Sequence, residues 1–305
     1  MASKESLAER NRLIEYVASQ PKKLTIQESR NRLEALLASI PIDPDIKTEK
    51  IMIENTPAEW VIAPNAARDR VFLYLHGGAY MLGSLNTHRD LAAKLSRSTA
   101  TRVLVIEYRL APEHPFPSGI EDAVTAYRWL LRSGISPERI VVGGDSAGGG
   151  LTMAMLLSLR DAGDALPASA ILLSPWTDME GTGESMESRA DADPWLNPEQ
   201  NRAAPFLYIG SMDRRHPLVS PIYADLQGLP PMLVHVGNDE ILLDDSVRLV
   251  ERANAAGVEA TLKVWEDMWH VFQQFTTPEA SKAIDEIGEY VKQKLENETQ
   301  KISTE

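Results

Sequence analysis

The residue with the clearest chemical potential is Ser146, at the centre of Gly144-Asp145-Ser146-Ala147-Gly148. The apolar run Ile140-Val141-Val142-Gly143 leads into this pentapeptide, and a helix-forming stretch from Leu151 to Arg160 leads out of it. A buried strand that enters Gly-x-Ser-x-Gly and leaves as a helix is the setting of a nucleophile elbow, a turn tight enough to strain the serine backbone. Small residues two positions before and after the serine let strand and helix approach closely. The hydroxyl is then presented at the tip of the turn, as a serine hydrolase requires. A phosphate-binding glycine turn is the competing reading. It lacks the Lys-Ser/Thr pair of a P-loop, and no Gly-x-Gly-x-x-Gly opens a first βαβ unit.

A second pattern lies upstream. Val71-Phe72-Leu73-Tyr74-Leu75 reads as a short buried strand, followed at once by His76-Gly77-Gly78-Ala79-Tyr80. Acyl transfer builds negative charge on the carbonyl oxygen, and backbone N–H groups fixed in a dry pocket stabilise it. Removing one such donor typically costs about 10²–10³-fold in rate. Glycines let a backbone turn its N–H groups toward a substrate with no Cβ in the way. The oxyanion hole is therefore assigned to Gly77 and Gly78, with the N–H of Ala147 as third donor. Asp145, beside the nucleophile, reads as a hydrogen-bond acceptor that stabilises the turn.

Taken together, His-Gly-Gly-Ala-Tyr at 76–80, Tyr108-Arg109-Leu110-Ala111-Pro112-Glu113-His114-Pro115-Phe116-Pro117 and Gly-Asp-Ser-Ala-Gly-Gly at 144–149 resemble the hormone-sensitive-lipase-like family of α/β-hydrolases. The resemblance runs from about Val71 to His270, with the motifs in the family's order. It departs at Ala79, where the family usually has a third glycine. It implies a carboxylesterase with a Ser-His-acid triad, no cofactor and no metal. In an α/β-hydrolase the triad partners follow the nucleophile in the order acid, then histidine. Of six histidines, only His216, His235 and His270 lie after Ser146. His235 sits inside the apolar run Met232–Val236 and His216 in a polar connection. His270, in Met268-Trp269-His270-Val271-Phe272, matches the setting of the family's general base.

The resemblance also points to the acid. The family's Asp-x-Leu-x-Asp, laid on Glu240-Ile241-Leu242-Leu243-Asp244, puts the triad acid at Glu240, thirty positions before His270. A one-residue bulge would put Asp239 there instead. Asp244 and Asp245 sit where a helix begins, which acids favour. Arg109 reads as a structural donor of its proline-rich loop rather than a substrate clamp.

The bulk numbers suit a globular enzyme. The chain has 305 residues, 43% hydrophobic, with 44 acids against 31 Lys and Arg and a formal net charge of −13. That charge disfavours nucleic acid and anionic membranes as partners and gives no clue to the substrate; a small-molecule ester is the partner that the resemblance implies. With no cysteine, disulfides and thiolate chemistry are excluded. The first twenty residues contain no continuous apolar segment, and a cytoplasmic location is expected.

These residues must be positioned by a sheet. Strands are expected at 50–54, 58–63, 71–75, 102–107, 140–143, 168–173, 232–236 and 260–265. Helices are expected at 5–19, 25–39, 88–98, 120–133, 149–162, 245–256 and 278–296. Thr25-Ile26-Gln27-Glu28 forms a capping box, and Leu33, Leu36, Leu37 and Ile40 give that helix an apolar face. Alternation at this rhythm means a mostly parallel sheet, here of eight strands flanked by helices, and the resemblance implies that it is an α/β-hydrolase fold. Residues 180–222 break the rhythm with Pro194, Pro198, Pro205 and Pro217. By resemblance, residues 1–45 and 180–222 form a helical cap over a catalytic domain of residues 46–179 and 223–305. Tyr80, Trp195 and Phe206 are the candidate substrate-binding residues, which would favour apolar short- to medium-chain acyl groups. A lactone hydrolase and a non-catalytic small-molecule-binding relative are the alternatives. Retention of both Ser146 and His270 favours the enzyme. A homodimer through the strand at 260–265 is a further expectation from the family.

Overall fold

The computed structural model describes residues 1–21 and 23–302, with the backbone alone for 297–302. Lys22 and residues 303–305, which fall within the expected cap and catalytic domain, lie outside the described residues. Eight strands form one sheet: β1 Lys47–Ile53, β2 Thr56–Ile62, β3 Ala67–Leu75, β4 Thr101–Ile106, β5 Ile140–Asp145, β6 Ser169–Leu173, β7 Met232–Gly237 and β8 Ala260–Trp265. Their spatial order is β1-β2-β4-β3-β5-β6-β7-β8. The β1–β2 and β2–β4 pairs are antiparallel and every other pair is parallel.

Central parallel strands are covered on both faces and so read as unbroken apolar runs. In β3, residues Val71 to Leu75 are all buried. Successive side chains still point to opposite faces. Val71, Leu73 and Leu75 pack on one side with α4 (Ser118–Arg132), α5 (Ala147–Asp161) and α8 (Leu243–Ala255). Phe72 and Tyr74 pack on the other with α3 (Leu85–Thr99) and α9 (Pro278–Ile302), where Ile284, Ile287, Val291 and Leu295 form the apolar stripe. β8, at the sheet's edge, is only partly covered.

Register then decides what meets at the carboxyl ends of the strands. Leu75 of β3 pairs beside Gly144 of β5, so the His76–Tyr80 loop and Ser146 emerge next to each other. Gly237 of β7 pairs beside Trp265 of β8, so the loops carrying Glu240 and His270 also emerge together. Ligands of open α/β sheets bind outside these strand ends.

Four further helices matter to the site. α1 (Lys4–Ala18) and α2 (Ile26–Leu37) precede the sheet, and α2 begins with the expected Thr25–Glu28 capping box. The segment between β6 and β7 holds α6 (Ser185–Ser188) and α7 (Pro198–Ile209), the latter capped by Asn197. No helix among the described residues is long and apolar enough to cross a membrane.

Candidate active site

Ser146 has φ 53° and ψ −121°, a region that costs a non-glycine residue about 1–3 kcal/mol. The surroundings over-determine it. Its N–H donates to the Leu173 carbonyl at 2.8 Å, and its own carbonyl accepts the Trp176 N–H at 2.9 Å and the Gly150 N–H at 3.1 Å. The flanking glycines permit the crowding: a Cβ on Gly148 would lie 2.0 Å from the Leu75 carbonyl oxygen, and one on Gly144 2.3 Å from the same atom. The serine opens onto a cavity of about 290 Å³ that His270 also lines.

His270 Nδ1 lies 3.0 Å from Glu240 Oε1. Glu240 is fully buried, and its second oxygen accepts the Ser174 hydroxyl at 2.8 Å and the Gly237 N–H at 2.8 Å. Ser174 Oγ in turn accepts the Val271 N–H at 3.2 Å, which ties the base loop to the same anchor. Burial alone would lower the basicity of His270. The hydrogen bond and charge of Glu240, with Asp193 and Asp145 farther off, outweigh it and hold the imidazole above its ordinary pKa. Nε2 makes no hydrogen bond with any described residue. Asp239 is turned elsewhere: its carboxylate pairs with Arg10 at 2.7 Å.

One assignment needs correction. The N–H of Gly77 is not free for an oxyanion, because it donates to Asp145 Oδ1 at 3.0 Å. The same carboxylate accepts the Tyr74 hydroxyl at 2.9 Å and meets His88 Nε2 at 3.3 Å. Burial pushes Asp145 up, but the charge and hydrogen bond of His88 and the bond from Tyr74 prevail and keep it below its usual value. Gly77 is a glycine for closeness, since a Cβ there would lie 2.2 Å from Asp145 Oδ2. The next residues turn through positive φ in succession: Gly78 at 120°, Ala79 at 53° and Tyr80 at 62°. Among the described residues no acceptor takes the N–H of Gly78, Ala79 or Ala147. Gly78, Ala79 and Ser146 all line the cavity.

A strained serine, a carboxylate-backed imidazole and unpaired amides around one cavity are the parts of an acyl-transfer site. Residues 72–274 match the family model described as alpha/beta hydrolase fold. A solved esterase of the bacterial hormone-sensitive lipase family superposes with a TM-score of 0.94 at 50% identity, covering 97% of this chain and 100% of that one. This chain is a carboxylesterase of the hormone-sensitive-lipase-like family. It is also 42% identical over 244 residues to an acetyl-hydrolase of Streptomyces hygroscopicus, spanning 79% of this chain and 81% of that protein. An esterase of Acinetobacter venetianus is 39% identical over 261 residues, spanning 85% and 86% respectively.

The esterase's cavity walls differ in part from expectation. Trp195 does line it, edge-on to His270 with ring centroids 6.4 Å apart. Tyr80 does not. It is 3% exposed and stacked on Tyr208 at 4.0 Å, so it braces the wall from behind. Phe206 is 69% exposed and absent from the lining. In α7 the cavity side carries Asn201 and Ala204 and the core side Pro205 and Tyr208. Phe206 is two residues, about 200° of helix turn, from both Ala204 and Tyr208, so it faces away from each. The apolar wall comes instead from Leu33 and Leu37 of α2, with Met81, Leu82 and Leu196. The helical spacing of Leu33 and Leu37 was the available signal. No spacing signal singled out His88 or Gln274, which also line the cavity and meet through His88 Nε2 at 2.8 Å. Arg109 is a structural donor, with its N–H and Nε both on Asp122.

Proposed function

We propose that the esterase hydrolyses short- to medium-chain acyl esters through an acyl-enzyme on Ser146. Ser146 Oγ attacks the ester carbonyl while His270 Nε2 takes its proton. Glu240 holds Nδ1–H and stabilises the imidazolium. The N–H groups of Gly78, Ala79 and Ala147 receive the oxyanion. The alcohol leaves with the proton from His270, and water activated by the same imidazole cleaves the acyl-enzyme. The observation that carries this reading is the 3.0 Å contact between His270 Nδ1 and Glu240 Oε1 beside a cavity that Ser146 shares.

The cavity's size and its leucine and methionine wall support acyl groups of modest length. Residues 1–45 and 180–222 act as a cap over residues 46–179 and 223–305, a division supported by Leu33, Leu37, Trp195 and Leu196 lying over the site. The test is burst kinetics on p-nitrophenyl butyrate. The wild-type enzyme should release one equivalent of p-nitrophenol per site before steady state, and Ser146→Ala should abolish both phases. A Ser146→Ala variant with wild-type turnover would refute the mechanism.

A further inference from the structure

The loop carrying Glu240 is fastened at two levels. Its carboxylate is held by the core, through Ser174 and Gly237. Its backbone is held by the segment between β6 and β7 and by α1. Asp193 Oδ2 accepts the Ile241 N–H at 3.0 Å, and Ser185 Oγ donates to the Ile241 carbonyl at 2.7 Å. On the other side of Glu240, Asp239 is paired with Arg10 Nη1 at 2.7 Å. Nη2 of the same guanidinium donates to the Ala192 carbonyl at 2.6 Å. Both neighbours of Glu240 are thus tied to a single dipeptide, Ala192-Asp193. The other oxygen of Asp193 closes a turn by accepting the Trp195 and Leu196 N–H groups, each at 2.9 Å. That turn sets the Trp195 ring, which stands against His270 with an interplanar angle of 82°.

We propose that Asp193, backed by Arg10, is a positioning residue that couples the seating of the 180–222 segment to the alignment of Glu240 and His270. The inference rests on the triad roles proposed above. The physical reason is geometric economy. Asp193 touches the acid loop with one oxygen and orients the ring beside the base with the other. Lifting the segment would leave the Ile241 N–H, the Ile241 carbonyl and Arg10 Nη2 without their partners, freeing the loop just after Glu240 and loosening the guanidinium that holds Asp239 before it. The core supplies the Glu240 carboxylate, and the seated segment fixes the loop that aims it at His270. The charged groups around this bridge are Arg10 from α1, Arg189 from the inserted segment, Asp239 and Glu240 from the acid loop, and His270 from the base loop. Asp145 also acts on His270.

Asp193→Asn is the selective probe. Asparagine closes the same local turn, but it sets an amide N–H against the Ile241 N–H. Activity on p-nitrophenyl butyrate is measured per site titrated by the burst, so unfolded protein does not count. We expect kcat to fall about 10- to 100-fold, the scale of an ångström's misplacement, with KM nearly unchanged. We also expect the acid limb of kcat/KM to move to lower pH as His270 loses a neighbouring charge. Arg10→Gln should reproduce the kcat loss more weakly, and it decides the question if Asp193→Asn does not fold. Wild-type kcat per titrated site and an unmoved acid limb in the folded variant would overturn the proposal. Wild-type turnover that depends on Ser146, measured alongside, keeps that outcome separate from failure of the hydrolytic mechanism itself.

Discussion

Replacing Glu240 with glutamine should disable the base by reversing its tautomer rather than by removing a contact. Glu240 Oε2 accepts two donors, the Ser174 hydroxyl and the Gly237 N–H, while Oε1 faces His270 Nδ1. The Gly237 N–H can be satisfied only by an acceptor, and the site is fully buried. Facing it with an amide N–H would cost about 1–3 kcal/mol. The glutamine carbonyl therefore takes the Oε2 position and its NH₂ points at Nδ1. His270 must then accept at Nδ1 and carry its proton on Nε2, where it cannot deprotonate Ser146. Loss of the correct tautomer in a serine triad costs on the order of 10⁴-fold in kcat, or about 5.5 kcal/mol at 1.36 kcal/mol per decade.

The pH profile supplies an independent readout. Glu240 is the main influence holding the His270 pKa up against burial. In the proposed mechanism His270 acts when neutral, so kcat/KM of the wild-type enzyme should rise with pH through a midpoint above about 6.5, the ordinary imidazole value. In Glu240→Gln the residual activity should keep its rise at lower pH, because burial then acts with less opposition. The assay is kcat/KM for p-nitrophenyl butyrate between pH 5 and 9, with Asp239→Asn alongside. A loss under tenfold in Glu240→Gln, together with a loss of thousands in Asp239→Asn, would refute the assignment. An unmoved acid limb would refute the electrostatic reasoning.

Two other outcomes separate wall from bystander. Gly78→Ala should lower kcat by at least about 10²-fold, because its φ is 120° and a Cβ there would lie 2.3 Å from the Leu82 carbonyl oxygen; a wild-type kcat per site titrated by the burst would show the reasoning to be wrong. Leu37→Trp should shift the acyl-length profile of p-nitrophenyl esters toward acetate by filling the cavity, whereas Phe206→Ala should leave that profile within about twofold of wild type, as surface changes usually do. The reverse pattern would relocate the acyl wall to α7.

Much of this enzyme is legible without coordinates. Unbroken apolar runs such as Val71–Leu75 and Ile140–Val142 locate the central strands, because burial on both faces leaves no room for polar positions. Gly144 and Gly148 announce a crowded turn, and Ser146 in its strained conformation bears that out. Where the structure departs from expectation, the departures have a common physical origin. Gly77 is a glycine as expected, but its N–H is committed to a carboxylate sixty-eight residues away, and no local pattern records which donor a distant acceptor takes. Phe206 faces solvent: the segment's apolar character is visible in sequence, while the side of α7 that meets the cavity is not.

The linear order of residues was sufficient for the kind of nucleophile, the kind of sheet and the presence of a histidine late in the chain, since each depends on local backbone demands and periodicity. Which acid meets His270, which amides stay unpaired and which side chains wall the cavity depended on three-dimensional contact. Glu240 and Asp239 are adjacent and chemically alike. A strand rotates successive side chains to opposite sides, and in the loop beyond β7 the fold turned one carboxylate to the imidazole and the other to Arg10.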